Sequence, residues 1–95
     1  MQAVLNQTNS TNETLDYLLS DVDATNKNDV ENSIVAMGSK VVRALVEKLK
    51  DLKGLQRGIV AMSLIRIGES SIEPLKELAQ DSECQWIADY LLSEI

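Results

Sequence analysis

The chain has no histidine and no phenylalanine, one cysteine and one proline. Without histidine there is no imidazole to serve as base or metal ligand near neutral pH. A lone Cys84 excludes a disulfide within the chain and a multi-thiolate zinc site. The aromatic residues are Tyr17, Trp86 and Tyr90, so an interior must be built from Leu, Ile, Val, Ala and Met. That is a palette of good helix formers, and few segments alternate as strands do. No run approaches the roughly 18 apolar residues of a membrane-spanning helix. Residues 1–14 are polar rather than basic and then apolar, which does not read as a secretory signal. The expectation is a cytoplasmic protein that does not enter a membrane. No glycine-rich phosphate loop and no nucleophile motif occurs. No enzyme is expected, and no catalytic residue, cofactor or metal site is assigned.

Ninety-five residues make one domain near the lower end of what buries its own core. A chain of this size is stable by on the order of 5–14 kcal/mol, so a few core contacts matter. The sequons Asn6-Gln7-Thr8, Asn9-Ser10-Thr11 and Asn12-Glu13-Thr14 read, without a leader, as polar Asn/Thr-rich sequence rather than glycosylation sites. Residues 1–10 are expected to form a polar flexible arm, and 11–95 a single domain.

The net charge is −6, which argues against nucleic acid as a partner. Charge is segregated: residues 13–31 carry a net −5, residues 40–57 a net +4 and residues 66–95 a net −5.

A shift of 30 residues superimposes Val30 on Val60, Ile34 on Leu64, Val35 on Ile65 and Met37 on Ile67. It also brings Gly38 onto Gly68, Val42 onto Ile72, Leu45 onto Leu75 and Glu47 onto Glu77. Apolar residues fall on apolar ones and glycine on glycine, which is the signature of a repeated unit. Each unit reads as helix, glycine turn, helix. In the segment 39–52, Val42, Leu45, Val46, Leu49 and Leu52 form one apolar stripe. On its other face, Arg43 and Glu47 stand one turn apart and are able to pair. The segment 55–67 is apolar almost all round, as a central helix is. Gly38, Gly54 and Gly68 follow apolar runs where a left-handed residue ends a helix. Capping boxes are expected at Ser10…Glu13, Asn28…Glu31, Ser70…Glu73 and Ser82…Gln85. Six helices follow, over 11–22, 29–37, 39–52, 55–67, 71–80 and 83–94.

The stretch Arg57-Gly58-Ile59-Val60-Ala61-Met62-Ser63-Leu64-Ile65-Arg66-Ile67-Gly68, followed by Ile72-Glu73-Pro74-Leu75-Lys76-Glu77-Leu78, resembles the short HEAT-like repeat of phycobilin lyases and related proteins. Ile34-Val35-Ala36-Met37-Gly38 with Val42-Arg43-Ala44-Leu45 is a weaker copy. Trp86-Ile87-Ala88-Asp89-Tyr90-Leu91-Leu92 looks like the first helix of a third unit, at a spacing of 27. The resemblance covers residues 29–95. It implies an all-α fold, a short α-solenoid of helical hairpins. In function it implies an adaptor or, alternatively, a small relative of phycobilin lyases or phycobilisome-associated proteins acting on a chromophore-bearing protein. Gly58 departs from good helix chemistry and either permits a close helix crossing or costs stability. Residues 11–22 lie outside the repeat register and read as an N-terminal cap.

In solenoids of this kind the second helices line the concave surface where partners are held. That row would present Lys40, Arg43, Glu47, Lys50, Glu73, Lys76 and Glu77 to a charged segment of another protein. Glu73 and Glu77 read as a solvated face rather than a catalytic pair. Cys84 begins the last helix, where a helix dipole can lower a thiol pKa, but with no base or second thiol it reads as a plain helix-start residue. Trp86, Tyr90 and Ile95 mark a second candidate surface, an uncovered end that would accept a docked protein or a second copy, giving a homodimer through the C-terminal helix.

Overall fold

In a computed structural model, the structure describes the backbone of residues 2–95 and the side chains of residues 11–95. Its corners are set by backbone geometry. Gly38 and Gly68, thirty residues apart, take φ of +74° and +88°, a region costly to residues with a Cβ. Gly54 also has positive φ, as its place after an apolar run implies. After Gly38 and Gly68 the chain re-enters helix through a 3-10 turn, Gly38–Val41 and Glu69–Ser71 respectively.

Six α-helices result among the described residues: α1 (Gln2–Ser20), α2 (Lys27–Ala36), α3 (Val42–Leu49), α4 (Gly54–Ile67), α5 (Ile72–Leu78) and α6 (Gln85–Glu94). No strand occurs among them. The fold is all-helical, as expected, but several boundaries differ. α3 is shorter than the segment 39–52 because 3-10 geometry takes both ends. At its C-terminus the Lys50 and Asp51 N–H groups bond three residues back, to Glu47 and Lys48 carbonyls at 3.2 and 3.1 Å. Such bonds tighten the last turn, and the Leu52 N–H closes it with a bond four residues back to the Lys48 carbonyl at 2.9 Å. α5 is shortened in the same way. α1 reaches back to Gln2 rather than starting at Thr11; the flexibility expected of residues 1–10, and the sequon side chains Asn6 and Asn9, lie outside the described side chains.

The expected capping boxes do not form where side chains are described, and Ser10 lies outside that range. The residues preceding α2, α5 and α6 are Asn26, Ser71 and Cys84, none with a side-chain cap. A reciprocal bond of the same spacing appears instead in the α1–α2 loop. Asp23 Oδ1 accepts from the Asn26 N–H at 3.0 Å, while Asn26 Oδ1 accepts from the Asp23 N–H at 2.8 Å. The Thr25 N–H and hydroxyl also donate to Asp23 Oδ1, at 2.8 and 2.6 Å. These Asx contacts stabilise the loop and hold the Asp23 carboxyl below its usual range, the Thr25 hydroxyl first and the Asn26 and Thr25 N–H groups after it.

α2 lies against α4 and α4 against α6, while α3 lies against both α4 and α5, and α5 against α6. Several residues related by the shift of 30 share their burial, though buried Val42 corresponds to half-buried Ile72. Ile34 and Leu64 are fully buried, as are Leu45 and Leu75, and Val30 and Val60 are both in the core. Leu91, at the spacing of 27 from Leu64, joins them. α4 is central, with neighbours on three sides, yet not buried all round: Leu55, Gly58 and Met62 form an open outer stripe. A Cβ at Gly58 would meet nothing within 4 Å, so Gly58 serves no close crossing. Ser63, an interruption of the apolar run, is fully buried and its hydroxyl has no partner. α1 contributes Leu15 and Leu19 to the core, and Gln56 Nε2 of α4 donates to the Leu19 carbonyl at 2.8 Å.

Candidate functional site

The amphipathic stripe of α3 turns Val42, Leu45, Val46 and Leu49 inward. Lys40, Arg43, Glu47 and Lys50 are therefore exposed, and on α5 the same logic exposes Glu73, Lys76 and Glu77. Because α3 and α5 are neighbours, the expected docking row falls on two adjacent helices, with Lys40 in the 3-10 turn just before α3 and Lys50 just after it.

Their pairing differs from the sequence expectation. Arg43 does not bond Glu47; it reaches across to α5, where its Nη1 donates to Glu77 Oε1 at 3.2 Å. Glu47 is paired with Lys50 at 3.5 Å, and Glu73 with Lys76 at 3.6 Å. A pattern along one helix exposes its own i, i+4 partners but not those of a helix 30 residues away. The Arg43 and Glu77 side chains are 71% and 63% exposed, so this bridge contributes little to stability. Its geometric consequence is larger, because it spans a groove of about 240 Å³ between α3 and α5. Arg43, Glu47, Lys50, Glu77 and Asp81 line this groove, with Val46, Pro74 and Leu78 as its apolar floor.

A wider groove of about 780 Å³ runs on the other side of α3, against α1. Thr11, Asn12 and Asp16 of α1 face Lys40, Arg43, Ala44, Glu47, Lys48 and Asp51 across it. Lys48 is bonded to Asp16, which ties the two walls together. Arg43 and Glu47 line both grooves, so α3 forms a charged ridge with a trough on each side. Asp16, Lys48, Asp51 and Asp81 belong to this surface and are absent from the expected row. Lys48 and Asp51 lay in the basic segment, but nothing local in α1 or in the α5–α6 turn marks Asp16 or Asp81 as their neighbours.

The second candidate surface is separate. Trp86 and Tyr90 are 60% and 58% exposed, and Ile95 is also open to solvent. Arg57 of α4 lies over the Trp86 ring at 5.3 Å from its centroid, a cation–π arrangement. Cys84 is half-buried at the start of α6. Burial, followed by the charge of Asp81, raises its pKa. The direction is opposite to the lowering that a helix dipole gives.

No group of three or more His, Cys, Asp or Glu side chains able to hold a metal is found among the described residues. None of the described helices is long and apolar enough to cross a membrane. Comparison with known protein families, curated proteins and solved structures finds no match to this chain.

Proposed function

We propose that this chain is a non-catalytic protein-interaction module, a short α-solenoid of HEAT-like hairpins whose second helices hold a charged segment of another protein. The observation that carries this reading is the juxtaposition of α3 and α5. Their inward stripes share one core, and their outward charges form one surface bridged by Arg43 and Glu77. The stacking of first helices on first helices and second on second is what tandem hairpins require. A ridge of both charge signs between two troughs suits an extended or helical polar segment. Its weak, exposed ion pairs exchange readily for partner charges at little net cost. In this reading Lys40, Arg43 and Lys50 meet acidic groups of the partner, and Glu47, Glu73 and Glu77 meet basic ones, with Lys76 at the margin. Such complementarity sets specificity and encounter rate more than raw affinity.

The test is quantitative capture from an extract of the native host with the chain immobilised. Reversing Lys40, Arg43 and Lys50 to Glu should release the partner, while Asp21→Lys with Asp29→Lys, which line neither groove, should retain it. Capture unaffected by the triple reversal would overturn the assignment of this surface.

A further inference from the structure

The outer face of α6 uses none of the residues of the α3–α5 surface. α6 turns Ile87, Ala88 and Leu91 inward. At about 3.6 residues per turn, Trp86, Tyr90 and Ser93 then form the centre of its outward stripe, and Asp89 and Glu94 fall on opposite flanks. All five are exposed. The two rings are not needed for packing between copies. The positions of α4 that correspond to them at the spacing of 27, Ile59 and Ser63, are buried, whereas α6 carries its bulkiest side chains there and leaves them in water. Exposed Trp and Tyr one turn apart, with charge at the rim, match the make-up of a binding anchor.

The charges select the occupant. α6 has acidic residues on both flanks and no basic residue. Glu83 adds a further acid just before the helix, and residues 66–95 carry a net −5. Arg57, the cation at this edge, is engaged on the face of the Trp86 ring and leaves the flanks uncompensated. A second copy is a poor match, because pairing α6 with α6 would gather the acids of two chains, each of net charge −6, around one apolar strip. We infer that this face docks a basic amphipathic helix of another protein. The apolar side of that helix covers Trp86 and Tyr90, and its flanking lysines or arginines meet Asp89 and Glu94.

Trp86 is the single tryptophan and reports on its own site. The full chain is titrated with a synthetic amphipathic leucine–lysine helix at low salt, with a leucine–glutamate helix as control. Binding of the basic peptide should shift Trp86 emission to the blue and protect it from acrylamide. Tyr90→Ala should weaken binding roughly 30-fold, and Asp89→Lys with Glu94→Lys about tenfold. Asp21→Lys with Asp29→Lys should leave it unchanged. Far-UV circular dichroism checks that each variant keeps its helices, which substitutions at these exposed positions should. The inference is overturned if Trp86 emission does not respond. It is equally overturned if the acidic peptide binds as well, or if the distant reversal weakens binding as much as the α6 reversal. Sedimentation showing that the chain alone self-associates through Trp86 would assign the face to a second copy instead. Each outcome is independent of the α3–α5 surface.

Discussion

At the corner between α2 and α3, the 3-10 turn that follows Gly38 ends on Val41, which is fully buried. At the corner between α4 and α5, thirty residues later, Ser71 takes that place and is equally buried. Val41 holds its corner by apolar contact. Ser71 holds its corner with a hydrogen bond, its hydroxyl donating at 2.8 Å to the Leu64 carbonyl, which also accepts the Gly68 N–H at 3.1 Å. The two corners thus keep a positive-φ glycine, a 3-10 turn and a buried last residue while changing the chemistry that secures them. A buried hydroxyl is tolerated because α4 ends with carbonyls in need of donors.

The strongest challenge to this equivalence comes from the paired core positions. Ile34→Ala and Leu64→Ala should each cost about 2–5 kcal/mol in urea unfolding. The Leu64 variant should fall at the upper end, because α4 is surrounded by α2, α3 and α6. If Ile34→Ala proved the costlier, α4 would not be the central helix. The corners themselves are compared by Ser71→Ala, which should lose about 1 kcal/mol. The loss is limited because the Leu64 carbonyl keeps its bond from Gly68. Gly58 stands where the first copy has Asn28, and Gly58→Ala should raise stability by up to about 1 kcal/mol, seen as a higher melting temperature. A loss there would mean that something packs closely on the outer stripe of α4. A double-mutant cycle of Arg43→Ala and Glu77→Ala should return a coupling of about 0–1 kcal/mol that fades with added salt. The corresponding Arg43–Glu47 cycle should return less, since Arg43 spends its contact on the other copy.

The smallest effect lies outside both copies, in the α1–α2 loop. Because the Asp23 carboxyl is held below its usual range, its ionised form favours the folded chain. That contribution is present in full above the ordinary carboxylate pKa of about 4 and is lost as pH falls through the lowered value. In an NMR titration Asp23 should ionise below the ordinary aspartate range, and Asp23→Asn should remove its part of the acid sensitivity. A normal titration would mean the Asx contacts do not persist in solution.

Much of the helical layout was legible because helix-forming residues, a 3.6-residue apolar stripe and glycine at the corners all act locally. Val42, Leu45, Val46 and Leu49 announce the buried face of α3 without reference to any other helix. The capping boxes failed for a related reason. Ser70 had the right spacing, but Ser71 was the residue at the boundary and its hydroxyl was drawn to Leu64. Local rules name candidates, and the tertiary neighbourhood chooses among them. The docking row was legible as a set of exposed residues, since exposure follows from the stripe, whereas its walls were not. Asp16 faces Lys48, and Asp81 lines the same groove as Arg43, only after the chain has folded.

By itself, then, the sequence determined that this chain is helical, where its main turns fall and which faces go inward, because those outcomes depend on contacts within a few residues. Only the tertiary structure decided that Arg43 pairs with Glu77, that Gly58 faces open space, that Cys84 is half-buried and that Trp86 and Tyr90 remain in water. Each of these depends on which helix lies beside which, and that is fixed by the packing of distant segments rather than by the spacing of neighbours.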